Sequence, residues 1–128
     1  MKTRTFHGTC SCGAVKFEAD SDLSEGTTKC NCTSCWKRRW WSLKVKVDDF
    51  RPLAGADQLD KERGFCRGCG LVPYRRVEAA EWNDGAYVSL NVSALDDLDP
   101  HDLMAAPIKI CDGLNNDWWH TPEYTAHL

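Results

Sequence analysis

A chain of 128 residues with a formal charge of −3 is long enough for one domain, residues 1–128, around a single core. Its pI near 5.8 argues against a dedicated nucleic-acid binder, which would carry a basic field. Met1–His7 has no apolar run behind its charges, and no stretch is long and apolar enough to span a bilayer, so a cytoplasmic protein is expected.

In that compartment thiols stay reduced, so spaced cysteines point to metal before disulfides. Gly8-Thr9-Cys10-Ser11-Cys12-Gly13 precedes a stretch in which Val15, Phe17 and Ala19 alternate with Lys16, Glu18 and Asp20. That period predicts a half-buried strand, with the Cys-x-Cys pair in the turn entering it. On a regular strand two such cysteines would share a face but lie well apart along it; a turn lets both sulfurs converge on one ion.

Residues 20–28 are polar and predict a loop. Cys30-Asn31-Cys32-Thr33-Ser34-Cys35 then sets three thiols within six residues, followed by Trp36, Lys37, Arg38, Arg39, Trp40 and Trp41. The three consecutive cations read either as a solvated turn or as an anion contact beside the thiols. The tryptophans read as pocket walls, with at least two of them expected in the core.

Trp41, Leu43, Val45 and Val47 alternate with polar residues, which predicts the clearest strand of the chain. Phe50–Leu53, with Pro52, suits a short edge strand. Lys61–Phe65 is expected to lead as a strand into Cys66-Arg67-Gly68-Cys69-Gly70, a knuckle that aims two sulfurs at one ion. Further strands are expected at Leu71–Val77, interrupted by Pro73, at Tyr87–Val92 after the Asn83-Asp84-Gly85 turn, and at Ile108–Cys111. Asp99 before Pro100 predicts a capped helix over Pro100–Ala105. Asn115–Trp119 reads as a loop carrying Trp118 and Trp119.

Seven of the eight cysteines fall in three groups. Zinc takes four ligands in closed structural sites, and catalytic sites keep one position open. The two paired turns, Cys10 with Cys12 and Cys66 with Cys69, make one closed all-thiolate site. Cys30, Cys32 and Cys35 make a second site with a free position. The alternative, joining this trio to one sulfur from another turn, would strand the thiols left over. Cys111 lies on a strand pattern and reads as a small buried hydrophobe. His7, His101, His120 and His127 are other sources of a fourth ligand.

These three cysteine motifs, in this order and spacing, resemble the glutathione-dependent formaldehyde-activating enzyme family. The likeness runs on through Tyr87-Val88-Ser89-Leu90-Asn91-Val92 and Ser93-Ala94-Leu95-Asp96-Asp97. It departs from the family pattern at Arg38-Arg39-Trp40-Trp41, which is bulkier and more basic. The resemblance implies a mainly β fold, a β-tent of small antiparallel sheets held by structural zinc, with little helix. It implies two zinc ions per chain: a structural one on Cys10, Cys12, Cys66 and Cys69, and a catalytic one on Cys30, Cys32 and Cys35. It further implies a carbon–sulfur lyase that adds glutathione to formaldehyde, with a small thiol and an aldehyde as partners. Two other readings of the same residues are a non-catalytic zinc module that binds a protein, and a redox-sensing thiol cluster.

Overall fold

Alternating apolar side chains build most of the strands, and the computed structural model describes residues 2–128. In chain order the strands are β1 (Arg4–Thr9), β2 (Lys16–Ser21), β3 (Thr27–Cys30), β4 (Trp41–Lys46), β5 (Phe50–Ala54), β6 (Tyr74–Val77), β7 (Tyr87–Asn91) and β8 (Ile108–Cys111). Two short helices interrupt them, α1 (Thr33–Arg38) and α2 (Pro100–Ala105). The strands form a three-stranded sheet in the order β1-β2-β5 and a five-stranded sheet in the order β6-β7-β4-β3-β8. This is the mainly β arrangement of small sheets, with little helix, that the family resemblance implies. One pair departs from the antiparallel plan, for β3 and β8 run parallel.

The core lies where the alternating faces meet. Phe17 and Ala19 of β2, Leu43 and Val45 of β4, and Val88 and Leu90 of β7 all point inward and are buried. Phe17 touches Phe50 and Tyr74 at ring-centroid distances of 5.8 and 5.3 Å, which joins the small sheet to the larger one. Pro52 sits on β5, an edge strand, where its missing N–H leaves no ladder partner unmet. The capped helix forms as expected: the Asp99 side chain accepts from the His101 amide at 2.8 Å.

Sequence periodicity missed two strands and placed one too many. β1 has a single large apolar side chain, Phe6, so it shows no alternation to read. β3 is Thr-Thr-Lys-Cys, polar in composition yet central in its sheet. Its buried Thr27 accepts the indole N–H of Trp41 at 2.8 Å, which satisfies a polar group inside. Lys61–Phe65 is a turn, not a strand: Gly64 takes φ +73° and donates its amide to the Asp60 carbonyl at 2.8 Å. After the knuckle, pairing begins only at Tyr74, beyond Pro73.

Candidate metal centres

Cys10 and Cys12 occupy the turn between β1 and β2. The turn is closed by the Gly13 amide on the Cys10 carbonyl at 3.0 Å and the Cys10 amide on the Val15 carbonyl at 3.1 Å. Cys66 and Cys69 occupy the knuckle, where the Gly70 amide donates to the Cys66 carbonyl at 2.6 Å. The two turns bring four sulfurs within 4.8 Å of one another. Cys10 and Cys12 sulfurs are 3.5 Å apart, Cys10 and Cys66 3.8 Å, and Cys12 and Cys66 3.7 Å. A tetrahedral zinc with Zn–S bonds of about 2.3 Å has an S···S edge of roughly 3.8 Å, so the spacing fits the ion.

The acidities of these thiols diverge because they crowd each other. Cys69 falls to about 6, chiefly because the amides of Leu71 and Cys12 donate to its sulfur. The Ala14 amide pulls Cys12 down as well, yet the neighbouring sulfurs of Cys10 and Cys66 outweigh it and Cys12 rises to about 11. Burial opposes ionisation of Cys10, but the Val15 amide and the adjacent thiols hold it below its ordinary value. Four sulfurs this close ionise together only around a cation.

The second group spans a strand-to-helix junction. Cys30 ends β3, Cys32 caps α1, and Cys35 lies in its first turn. The Cys32 amide donates to the Cys30 sulfur and the Cys35 amide to the Cys32 sulfur, each at 3.4 Å. The three sulfurs lie within 4.8 Å of one another, and among the described residues no histidine, cysteine or carboxylate joins them as a fourth donor. Burial drives Cys35 up to about 12, reinforced by Cys32 and Cys30. Burial also raises Cys30; it opposes ionisation of Cys32 too, but the Cys35 amide, the Cys35 and Cys30 thiols and the Ser34 amide together hold Cys32 below its ordinary value.

Asn31 fastens this loop from beneath. It is buried, donates to Asp112 at 2.9 Å and accepts the Leu114 amide at 3.1 Å. Cys111 is buried beside Cys30 in the β3–β8 ladder and stands outside the sulfur cluster. The histidines are engaged elsewhere. His7 pairs with Asp97, His101 with Asp102 and His120 with Asp117, while the His127 ring packs on Trp36 at 4.4 Å.

A cavity of about 210 Å³ opens beside Cys30 and Cys35, walled by Trp36, Trp40 and Trp41 with the cations Lys29 and Arg39. The expectation that at least two of these tryptophans are core is corrected. Trp36 is 42% exposed, and Trp40 and Trp41 are only partly buried. Arg39, a non-glycine residue at φ +57°, caps α1 between Trp36 and Trp40, and its amide donates to the Cys35 and Trp36 carbonyls. Of the three consecutive cations, Arg39 lines this cavity. Arg38 lines a second one of about 480 Å³ that shares Trp40 with it. Trp118 stands over the Gly113 turn next to Cys30 and Cys32, while the tail residue bordering the cavity is Leu128. Sequence reasoning gave no role to Lys29, Gly113 and Leu128, or to Asn31 within the cysteine motif, because their partners lie far along the chain.

The family model for glutathione-dependent formaldehyde-activating enzymes matches residues 5–110. A solved structure of a Rhodobacter sphaeroides protein is 27% identical, superposes with a TM-score of 0.60, and aligns over 80% of this chain and 99% of that one. With both cysteine groups inside the matched stretch, the chain belongs to the glutathione-dependent formaldehyde-activating enzyme family.

Proposed function

We propose that the chain is a zinc-dependent carbon–sulfur lyase that adds glutathione, or a thiol like it, to formaldehyde or a related small aldehyde. In this reading residues 1–128 form one domain fastened by a structural zinc on Cys10, Cys12, Cys66 and Cys69. Cys30, Cys32 and Cys35 hold a second zinc and leave one position to the incoming thiol. The observation that supports it most is the unequal donor count: four sulfurs in one group, three in the other, with a cavity beside the three. No helix among the described residues is long and apolar enough to cross a membrane. Free thiols in this number suit the reducing cytoplasm.

The net reaction forms a C–S bond and breaks the carbonyl π bond; the thiol proton ends on the former carbonyl oxygen. Bound zinc supplies positive charge that stabilises a thiolate near neutral pH. Three protein thiolates leave the site net negative with a divalent ion, which favours holding a thiol over strongly polarising an aldehyde. Lys29 and Arg39 add positive charge at the cavity wall, and the tryptophans limit water around the sulfur. Holding the thiol beside a small aldehyde replaces a chance encounter with a positioned one.

The test is exchange NMR of glutathione and formaldehyde with and without the zinc-loaded protein. Wild type accelerates exchange and Cys35→Ser does not. Equal exchange in the two, or none above the uncatalysed rate, overturns the reading.

A further inference from the structure

Trp40 walls two cavities, and the larger of them, about 480 Å³, has no cysteine in its lining. Its volume falls in the range of about 300–1,000 Å³ usual for small-molecule sites. Two separate segments supply its walls. Arg38 ends α1, and Trp40 follows the left-handed Arg39, its own amide donating to the Cys35 carbonyl at 3.0 Å. Arg63 and Phe65 come from the turn before the knuckle, on either side of Gly64 at φ +73°. There the Asp60 amide donates to the Phe65 carbonyl at 2.9 Å, and the Arg75 guanidinium donates to the Arg63 carbonyl at 2.8 Å. Both pairs of side chains therefore hang from a fastened main chain.

The chemistry of this lining is one-sided. Trp40 and Phe65 are half-buried rings that stand outside the apolar core cluster, although Leu71 in the same lining packs against it. Arg38 and Arg63 are exposed, and no carboxylate lines the cavity. The arginine ion pairs among the described residues belong to Arg4 and Arg51, not to Arg38 or Arg63. No residue beyond Asn91 lines the cavity, so the tail stays out of it. The Asn91 side chain is already engaged, donating to the Val72 carbonyl at 2.9 Å and accepting the Ser93 amide at 3.0 Å.

A guanidinium presents paired N–H donors that match the oxygens of a carboxylate or a phosphoryl group. Aromatic side chains take a flat apolar body by offset or edge-on contact. We propose that Arg38, Arg63, Trp40 and Phe65 form a binding site for an aromatic ring that carries an oxyanion. The ring rests against Trp40 and Phe65, and the oxyanion meets the two guanidinium groups. The site needs neither metal nor thiol, so it is independent of the reading of Cys30, Cys32 and Cys35. Because Trp40 also walls the cavity beside those sulfurs, a ligand bound here fixes part of that wall.

The experiment is an NMR titration of the zinc-loaded protein with benzoate, phenyl phosphate, benzyl alcohol and inorganic phosphate, each separately. The signals followed are the Trp40 indole N–H, the Phe65 ring protons and the Leu71 and Val72 amides. An aromatic anion shifts all of them, and the tighter of benzoate and phenyl phosphate identifies the head group. Benzyl alcohol, which lacks the charge, and inorganic phosphate, which lacks the ring, each bind at least about tenfold more weakly. Arg38→Gln and Arg63→Gln each weaken the aromatic anion about tenfold, the effect of losing one charge-assisted hydrogen bond, and leave benzyl alcohol unchanged. Equal affinity for benzyl alcohol and both aromatic anions overturns the proposal without any variant. So does inorganic phosphate binding as tightly as phenyl phosphate, or aromatic probes that leave Trp40 and Phe65 unshifted.

Discussion

Gly113 lies so close to Cys30 that a Cβ built on it would stand 2.7 Å from the Cys30 sulfur. The same atom would meet the Cys32 Cβ at 2.8 Å and the Trp118 ring at 3.1 Å. The turn after β8 is thus pressed directly onto the three-cysteine loop, and only glycine fits between them. Gly113→Ala must push a sulfur aside. We expect it to weaken metal binding at Cys30, Cys32 and Cys35 by about tenfold or more, a loss typical of disturbing the support of a metal ligand. Chelator competition on the purified protein checks this. An unchanged second-site affinity would show that the contact is slack.

The two cysteine groups should differ in what they hold together. Cys69→Ser removes a ligand from the group that joins the β1–β2 turn to the knuckle. A structural zinc contributes about 10–16 kcal/mol of binding free energy, against a typical folding stability of about 5–15 kcal/mol, so this variant should lose its fold. Cys35→Ser touches only the loop and α1 and should stay folded with about one zinc per chain. Near-UV circular dichroism with metal counting by atomic emission separates the two. An unfolded Cys35→Ser protein would refute the division into structural and open sites.

Phe17 is fully buried between Phe50 and Tyr74, at 5.8 and 5.3 Å. With Phe50, which meets Tyr74 at 4.6 Å, it forms an aromatic cluster through which the small sheet grips the large one. Phe17→Ala should cost about 3–5 kcal/mol through lost burial and the cavity left behind. Urea unfolding of the zinc-loaded protein measures it. A loss under about 1 kcal/mol would mean that the aromatic cluster repacks freely around the gap.

His7 joins β1 to the segment after β7. Its ring donates to Asp97 at 2.9 Å, and its other nitrogen lies 3.3 Å from Glu18. The hydrogen bond to Asp97, above all, raises the imidazole above its ordinary value of 6.5. The folded state therefore favours the protonated ring. The resulting stability is complete below the unfolded value of about 6.5 and is lost as pH rises through the folded one. NMR titration should place the His7 midpoint above 6.5 in wild type and lower it in Asp97→Asn. A midpoint indifferent to Asp97 would contradict the geometry.

Much of this molecule can be read from short stretches of sequence. The strand over Val15–Ala19, the strand from Trp41, the Tyr87–Val92 strand and the capped helix at Pro100 are each set by side chains a few residues apart. The same holds for the sulfurs: Cys10 with Cys12, the trio from Cys30 to Cys35, and Cys66 with Cys69 are local spacings that a turn or a cap converts into convergent ligands. Chemistry of this kind is legible because the interacting atoms are neighbours in the chain.

What surrounds the three-cysteine group was decided only by the fold. Thr27–Cys30 has no apolar alternation, and it becomes a central strand because β4 and β8 pair with it from either side. That parallel pairing with β8 carries the Gly113 turn onto Cys30. Lys29 meets Leu128 across a separation of 99 residues, and Asn31 meets Asp112 across 81. No periodicity encodes such meetings, because they depend on how whole strands are ordered in a sheet and where the chain returns. The sequence alone showed three local clusters of sulfur; the fold brought the first and the last of them together, across more than fifty residues, and kept the middle one apart. The tertiary structure decided which cations, which tryptophans and which stretch of tail stand around them, since those groups meet only after the sheets have formed.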